Sequence, residues 1–168
     1  NSDMYIIVGL GNPTEEYAHT RHNTGRMAVD YISKSEDVNA KFIVPDTFMN
    51  KSGVAVAKVV KSKKAAKNLI VIHDDLDLPL GSLKISYDRG SGGHRGVESI
   101  IKALKTQEFI RLRIGIGKKK GDIEKHILGK FKKSEEVVLK KVFKRVRDAV
   151  DTIVSHGLAL AMSEFNSQ

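Results

Sequence analysis

Apolar and polar positions along the 168 residues fall into blocks that alternate between strand-like and helix-like spacing. Tyr5-Ile6-Ile7-Val8 is apolar throughout, which predicts a strand buried on both faces, and Gly9-Leu10-Gly11-Asn12-Pro13 turns the chain out of it. Thr24 is expected to cap a helix carrying Met27, Val29, Tyr31 and Ile32. Phe42-Ile43-Val44 reads as a short strand stopped by Pro45, and Ser52 precedes a helix with Val56, Val59 and Val60 on one side. Leu69-Ile70-Val71-Ile72 is a second buried strand that empties into Asp74-Asp75-Leu76-Asp77. Leu83 to Tyr87 predicts a strand, and after the turn Gly90-Ser91-Gly92-Gly93-His94 a helix follows with Val97, Ile100, Ile101 and Leu104 at helical spacing. Ile110, Leu112, Ile114 and Ile116 alternate with Arg111 and Arg113, which predicts a strand with one buried face. A last helix opens at Ser134-Glu135-Glu136, with acids suited to the positive end of its dipole. Leu139, Val142, Val146, Ala149 and Ile153 line its inner side, and Lys140, Lys141, Lys144, Arg145 and Arg147 the rest.

Alternating strands and helices without repeats or a linker predict an α/β fold. The expectation is a single domain over residues 4–168, a twisted, mostly parallel mixed sheet surrounded by helices. Asn1-Ser2-Asp3 ahead of Met4 reads as an artificial extension and is set aside.

Composition narrows the partners. No cysteine is present, which excludes disulfides, thiolate-held zinc and a cysteine nucleophile, and fits a reducing cytoplasm. No apolar run is long enough to span a membrane, and Tyr5–Leu10 is too short for a signal-peptide core. Lys and Arg outnumber Asp and Glu by 29 to 20, a formal charge of +9, which suggests a polyanionic partner. A basic surface that merely keeps the protein dissolved explains the charge as well. No long apolar stripe is left unassigned, so a monomer is expected.

Polar residues gather where strands end, the usual ligand site of open α/β sheets. His22 is the candidate base because its ordinary pKa lies near neutrality. By itself a histidine in a turn reads as a solvated residue; a carboxylate partner would change that, and Asp74 stands at the end of a buried strand. Solvation in an acidic turn and a metal site are the competing readings for Asp74, Asp75 and Asp77, but no regular calcium-loop spacing follows. Asn12 and Asn50 offer uncharged amides that could hold a water or support an oxyanion, although asparagine also suits turns for its own backbone bonds. The glycine-rich segment before His94 lacks the Gly-Lys-Ser/Thr ending of a nucleotide loop, leaving anion contact rather than nucleotide hydrolysis. No Gly-x-Ser-x-Gly elbow of a general esterase occurs.

Six segments resemble bacterial-type peptidyl-tRNA hydrolases in order and spacing: Val8-Gly9-Leu10-Gly11-Asn12-Pro13 with Tyr17; Arg21-His22-Asn23; Pro45-Asp46-Thr47-Phe48-Met49-Asn50-Lys51-Ser52-Gly53; His73-Asp74-Asp75-Leu76-Asp77-Leu78-Pro79; Gly92-Gly93-His94-Arg95-Gly96; and Arg111-Leu112-Arg113-Ile114-Gly115-Ile116-Gly117. The resemblance implies an enzyme without metal or organic cofactor that cleaves the ester between a peptide and the 3′-terminal ribose of tRNA, freeing the tRNA for translation. It implies His22 as catalytic base, Asp74 as its support, and Asn12 and Asn50 as holders of substrate and water. Asn12 would also separate a peptide-blocked aminoacyl group from a free one. Tyr17, Phe48, Met49, His94 and Arg95 would border the substrate, and Arg113, assisted by Lys84, would take tRNA phosphate.

The chain departs from that pattern at three places. Arg95 stands where the family usually has asparagine, and is expected to keep activity while changing the grip on substrate. Ser86 occupies a second basic clamp position, which puts a two-point clamp in doubt. The stretch from Tyr31 to Phe42 is roughly twenty residues shorter than the family pattern, beyond ordinary loop variation. Either a hairpin is truncated or residues are missing there; missing residues are the expectation, because dropping a sheet segment would expose core. Lys118-Lys119-Lys120 and the basic side of the last helix read first as solvated surface and second as RNA contact. A non-catalytic RNA-binding protein on the same scaffold is the rival reading, which peptide release compared with His22→Ala would separate.

Overall fold

The computed structural model describes residues 4–35, 38–117 and 121–167. The extension read at residues 1–3 and the lysine run 118–120 lie outside the described residues. Five strands, β1 (Tyr5–Gly9), β2 (Ala40–Ile43), β3 (Leu69–Asp75), β4 (Leu83–Tyr87) and β5 (Ile110–Gly115), form one sheet in the order β2-β1-β3-β5-β4. All neighbours pair in parallel except β4, which runs antiparallel at the edge of β5. The single-domain α/β expectation holds.

Side-chain alternation divides the sheet into two faces. On one, Ile7, Ile70, Ile72, Leu112 and Ile114 pack against α1 (Thr24–Ile32), α6 (Lys133–His156) and α7 (Leu158–Phe165). On the other, Val8, Leu69 and Val71 pack with Val56 of α2 (Ser52–Ala57), Ala66 of α3 (Lys63–Ala66), and Val97 and Ile100 of α4 (Arg95–Leu104). A short helix, α5 (Ile123–Leu128), precedes α6.

Three expectations need correction. Arg111 and Arg113 do not face solvent: they are 3% and 9% exposed, so β5 is buried on both faces. Register explains their placement, since Val71 pairs with Arg111 and His73 with Arg113, all on the α2/α4 face. β3 runs past its apolar stretch, so Asp74 stands at the strand's end as expected, while Asp75, read with the acidic turn, belongs to the strand as well. Thr24 does not cap α1; it is the first helical residue, and its hydroxyl donates to the Arg21 carbonyl. The structure also adds α7 after Gly157, a helix not anticipated from the pattern. Its Asn166 amide accepts from Ile85 N–H and donates to Ile85 C=O, covering part of the β4 edge that would otherwise be open to pairing.

The chain leaves β1 toward β2 on one side and returns to β3 on the other, so the crevice beyond the ends of β1 and β3 is the topological switch point. Close packing of α1 over these strands closes it from above. A Cβ on Gly25 would collide with the Ile72 carbonyl, and one on Gly9 with the Val29 side chain. Both glycines let the helix lie directly on the backbone of β1 and β3. Gly25→Ala is therefore expected to lower the unfolding free energy by about 1–3 kcal/mol, as overpacking does. Gly90→Ala, with open space around the added methyl, should stay within about 0.5 kcal/mol; urea denaturation of both variants checks the contrast.

Candidate active site

Asp74, 2% exposed near the end of β3, stands between two imidazoles. His22, in a single 3₁₀ turn (Arg21–Asn23), places Nδ1 2.8 Å from Asp74 Oδ2. His94, at the N-cap of α4, places Nε2 2.8 Å from Asp74 Oδ1. Burial alone would raise the Asp74 pKa; the charges and hydrogen bonds of His22 and His94 together outweigh it and hold the carboxyl below its ordinary 3.8.

Hydrogen bonding separates the roles of the two rings. His94 Nδ1 accepts from the backbone N–H groups of Gly96 and Val97, so its proton is on Nε2, pointing at Asp74. Neither nitrogen of His94 is then free to take a proton. His22 spends Nδ1 on Asp74, while Nε2 has no protein partner among the described residues. Of the two, only His22 is arranged as a base.

Asn23, fully buried and next to His22, ties in the β1 loop: its Oδ1 accepts from Asn12 N at 2.8 Å, and its Nδ2 donates to Asn12 O at 2.9 Å. Arg26 donates to the same Asn12 carbonyl. The Asn12 side-chain oxygen accepts from Met49 N–H at 2.8 Å, which turns its NH₂ away as the remaining donor. Asn50 follows Met49 in a 3₁₀ turn and is exposed, lining a groove of about 590 Å³ between α2 and α4 with Ser91, Gly93, Arg95 and Lys102. Tyr17 and Phe48 meet edge to face, with ring centroids 6.2 Å apart, and Phe48 is half exposed. Met49 is in the core, so it offers substrate little beyond the position of its neighbours.

The basic residues divide as sharply. Arg95, first in α4, is exposed and has no ion pair among the described residues. Arg113 pairs with Asp75 at 2.8 Å and donates to Ser86 Oγ. Lys84 donates to the Asn166 carbonyl, so its amine serves the docking of α7. Lys140, Lys141 and Lys144 of α6 are exposed, whereas Arg145 reaches the Gly81 carbonyl.

His73 carries a signal that the sequence did not reveal. It is 2% exposed, donates from Nδ1 to the Asp74 carbonyl, and has its Nε2 buried without a partner. Its ring lies 4.6 Å from that of His94. Burial first, then His94 and Arg111, drive its pKa well below 6.5. Asn23 and Arg111 were likewise not singled out, although an asparagine beside the base and an arginine inside an aliphatic strand are both visible in sequence. His22, Asp74 and His94 also have ligand atoms within 4.8 Å of one another, close enough for a cation. Two nitrogens of the group already meet the Asp74 carboxylate at 2.8 Å, the distance of an imidazole–carboxylate hydrogen bond.

A mostly parallel α/β sheet that gathers a carboxylate-backed imidazole and the open amide of Asn12 at its switch point has the parts of a hydrolytic site. The family model for peptidyl-tRNA hydrolase matches residues 6–42 and 36–168. Peptidyl-tRNA hydrolase of Thermoanaerobacter sp. (strain X514) is 43% identical over 183 positions, covering 97% of this chain and all of the relative. The crystal structure of peptidyl-tRNA hydrolase from Acinetobacter baumannii, 29% identical, superposes with a TM-score of 0.86 over 99% of this chain and 96% of that one. An endopeptidase of Escherichia coli, 15% identical over 86% of this chain and 90% of its own, shares the fold alone at a TM-score of 0.52. The chain belongs to the peptidyl-tRNA hydrolase family.

Aligning 97% of 168 residues over 183 positions leaves about twenty positions of the Thermoanaerobacter relative without a counterpart. The two stretches matched by the family model overlap at residues 36–42, which places the shortfall between α1 and β2. There β2 pairs with β1 at the sheet edge, with Phe42 and Ile43 half-buried.

Folding makes the two unusual titrating groups sensitive to acid. Between its ordinary pKa of 6.5 and its lowered folded value, His73 binds more proton unfolded than folded, so stability falls as pH drops through that interval. Asp74 acts in a lower window: its stabilisation is full above 3.8 and is lost as pH falls through its depressed value. His73→Gln is expected to flatten the fall in unfolding free energy between about pH 7.5 and 5.5, measured by denaturant titration; an unchanged slope would refute the assignment.

Proposed function

We propose that this member of the family hydrolyses the ester joining a peptide to the 3′-terminal ribose of peptidyl-tRNA, with His22 as the base. The observation that carries the mechanism is the His22–Asp74 contact of 2.8 Å with Nε2 left over. Nε2 takes a proton from water as the oxygen attacks the ester carbonyl carbon. Asp74 holds the ring in the Nδ1–H tautomer and stabilises the imidazolium. An ester is an activated acyl group, so no covalent enzyme intermediate is needed. Collapse of the tetrahedral intermediate breaks the bond to the ribose oxygen, which leaves with the proton returned by His22. The free NH₂ of Asn12 suits the oxyanion or the blocked amine of the peptide; such a donor contributes about 3–4 kcal/mol when well placed.

The exposed side of Asn50 and the Tyr17–Phe48 pair supply a rim for peptide and terminal nucleotide. RNA phosphate is read at Arg95, whose guanidinium stands free beside Gly93 in the α2/α4 groove with Lys102 further along. Arg113 contributes positive field from a partly neutralised position, given its pairing with Asp75. The charge of +9 supports a polyanionic substrate. A cytoplasmic monomer needing no cofactor fits this activity; among the described residues no helix is long and apolar enough to cross a membrane.

Peptide release from an N-blocked aminoacyl-tRNA tests the assignment. His22→Ala should lower kcat by about a hundred- to ten-thousand-fold. Asp74→Asn should lower it by at least about a hundredfold by losing tautomer control. A wild-type rate no faster than His22→Ala would instead identify a binding protein. Arg95→Asn should leave kcat near wild type while raising KM and flattening its salt dependence, because a phosphate contact is lost; unchanged KM and salt slope would remove Arg95 from the RNA contact.

A further inference from the structure

Arg111 is the oddest charge in the molecule. It sits in the middle of β5 at 3% exposure, and no carboxylate lies within ion-pair distance of it among the described residues. The nearby carboxylate, Asp75, is already paired with Arg113. Buried cations normally keep a counter-ion, because desolvation costs several kcal/mol per ion. Burial first, then Arg113 and Arg89, push the Arg111 pKa down to about 10, so the side chain remains charged at neutral pH without a neutralising partner.

Its hydrogen bonds indicate what it is for. NH1 donates to two consecutive carbonyls, Arg89 O and Gly90 O, both at 2.7 Å, and Nε is buried without a partner. Those carbonyls open the glycine-rich loop that ends at His94. The glycines give it little grip of their own: methyl groups added at Gly90, Gly92 or Gly93 would meet nothing within 4 Å. Asp88, Gly92 and Gly93 hold positive φ angles of 54°, 61° and 89°, and glycine reaches such angles as readily as others, so local preference alone does not fix the loop's path. Within the loop Ser91 accepts from the Gly93 and His94 N–H groups, and from outside Gln107 bonds Asp88 in an exposed position where water competes. Charge-assisted bonds to shielded carbonyls are about twice as strong as neutral ones.

We infer that Arg111 is a positioning residue for hydrolysis: by clamping the Arg89 and Gly90 carbonyls it sets the height of the loop that delivers His94 to Asp74. With the clamp in place, His94 Nε2 meets Asp74 Oδ1 while Nδ1 stays on the first turn of α4. Without it, the loop swings on its glycines, the His94–Asp74 bond lengthens, and Asp74 loses one of the two donors that keep it ionised and fixed toward His22. This inference rests on the proposed roles of His22, Asp74 and His94.

A double-mutant cycle on peptide release from N-blocked aminoacyl-tRNA tests it, with denaturant stability recorded for every variant. Arg111→Met should lower kcat/KM about tenfold or more when His94 is present, and less than about threefold in a His94→Ala background. Equal losses in both backgrounds, or no loss with His94 present, would overturn the inference, since a residue that only stabilises the sheet acts independently of His94. Should Arg111→Met fail to fold, Arg111→Lys serves in its place: an ammonium keeps the charge but not the planar fork, and the loss should be smaller with the same dependence on His94. Wild-type activity in His94→Ala alone would count against the role given to the array, an outcome distinct from failure of the clamp.

Discussion

A carboxylate that is 2% exposed at the end of a central strand stays ionised only when hydrogen-bond donors surround it, and the structure around Asp74 is organised by that need. One donor comes from the turn before α1, the other from the N-cap of α4. Each arrives by a separate device. For His22 it is the glycine-smoothed contact of α1 with β1 and β3; for His94 it is a loop held from beneath by Arg111. The two imidazoles are not equivalent as a result. His94 has both nitrogens committed, and His22 retains one, so a symmetric-looking array leaves a single nitrogen open, the one proposed as the base.

Asparagines extend this order to the substrate side. Asn23 grips both backbone polar groups of Asn12, and Asn12 in turn accepts from Met49 N–H, so the His22 turn, the Asn12 loop and the Met49–Lys51 turn are tied together by hydrogen bonds. The site lies at strand ends while its supports are buried. The groove between α2 and α4 is open, and Arg95 stands exposed in it.

Much of this was readable before any coordinates. Buried strands β1 and β3 declare themselves as aliphatic runs, and the helices by spacing, so the sheet and its switch point follow. His22, Asp74 and Asn12 were visible as polar residues at strand ends. What could not be read was burial that depends on neighbours. Arg111 and Arg113 alternate with isoleucine and leucine as on a half-exposed strand, yet α4 and the glycine-rich loop cover their face. The His94–Asp74 bond was not legible because it joins residues twenty apart through a loop whose path no local rule specifies. Nor was the engagement of Lys84 by Asn166, which depends on α7, a short helix with no strong periodicity to announce it.

The central claim is that Asp74 sets opposite tautomers on its two histidine partners. Nitrogen-15 NMR of the histidine-labelled protein, at a pH where both rings are neutral, reads this directly. The account predicts a protonated Nδ1 with a bare Nε2 for His22, and the reverse for His94. A proton on His22 Nε2 would leave no nitrogen to accept one from water, and would contradict it.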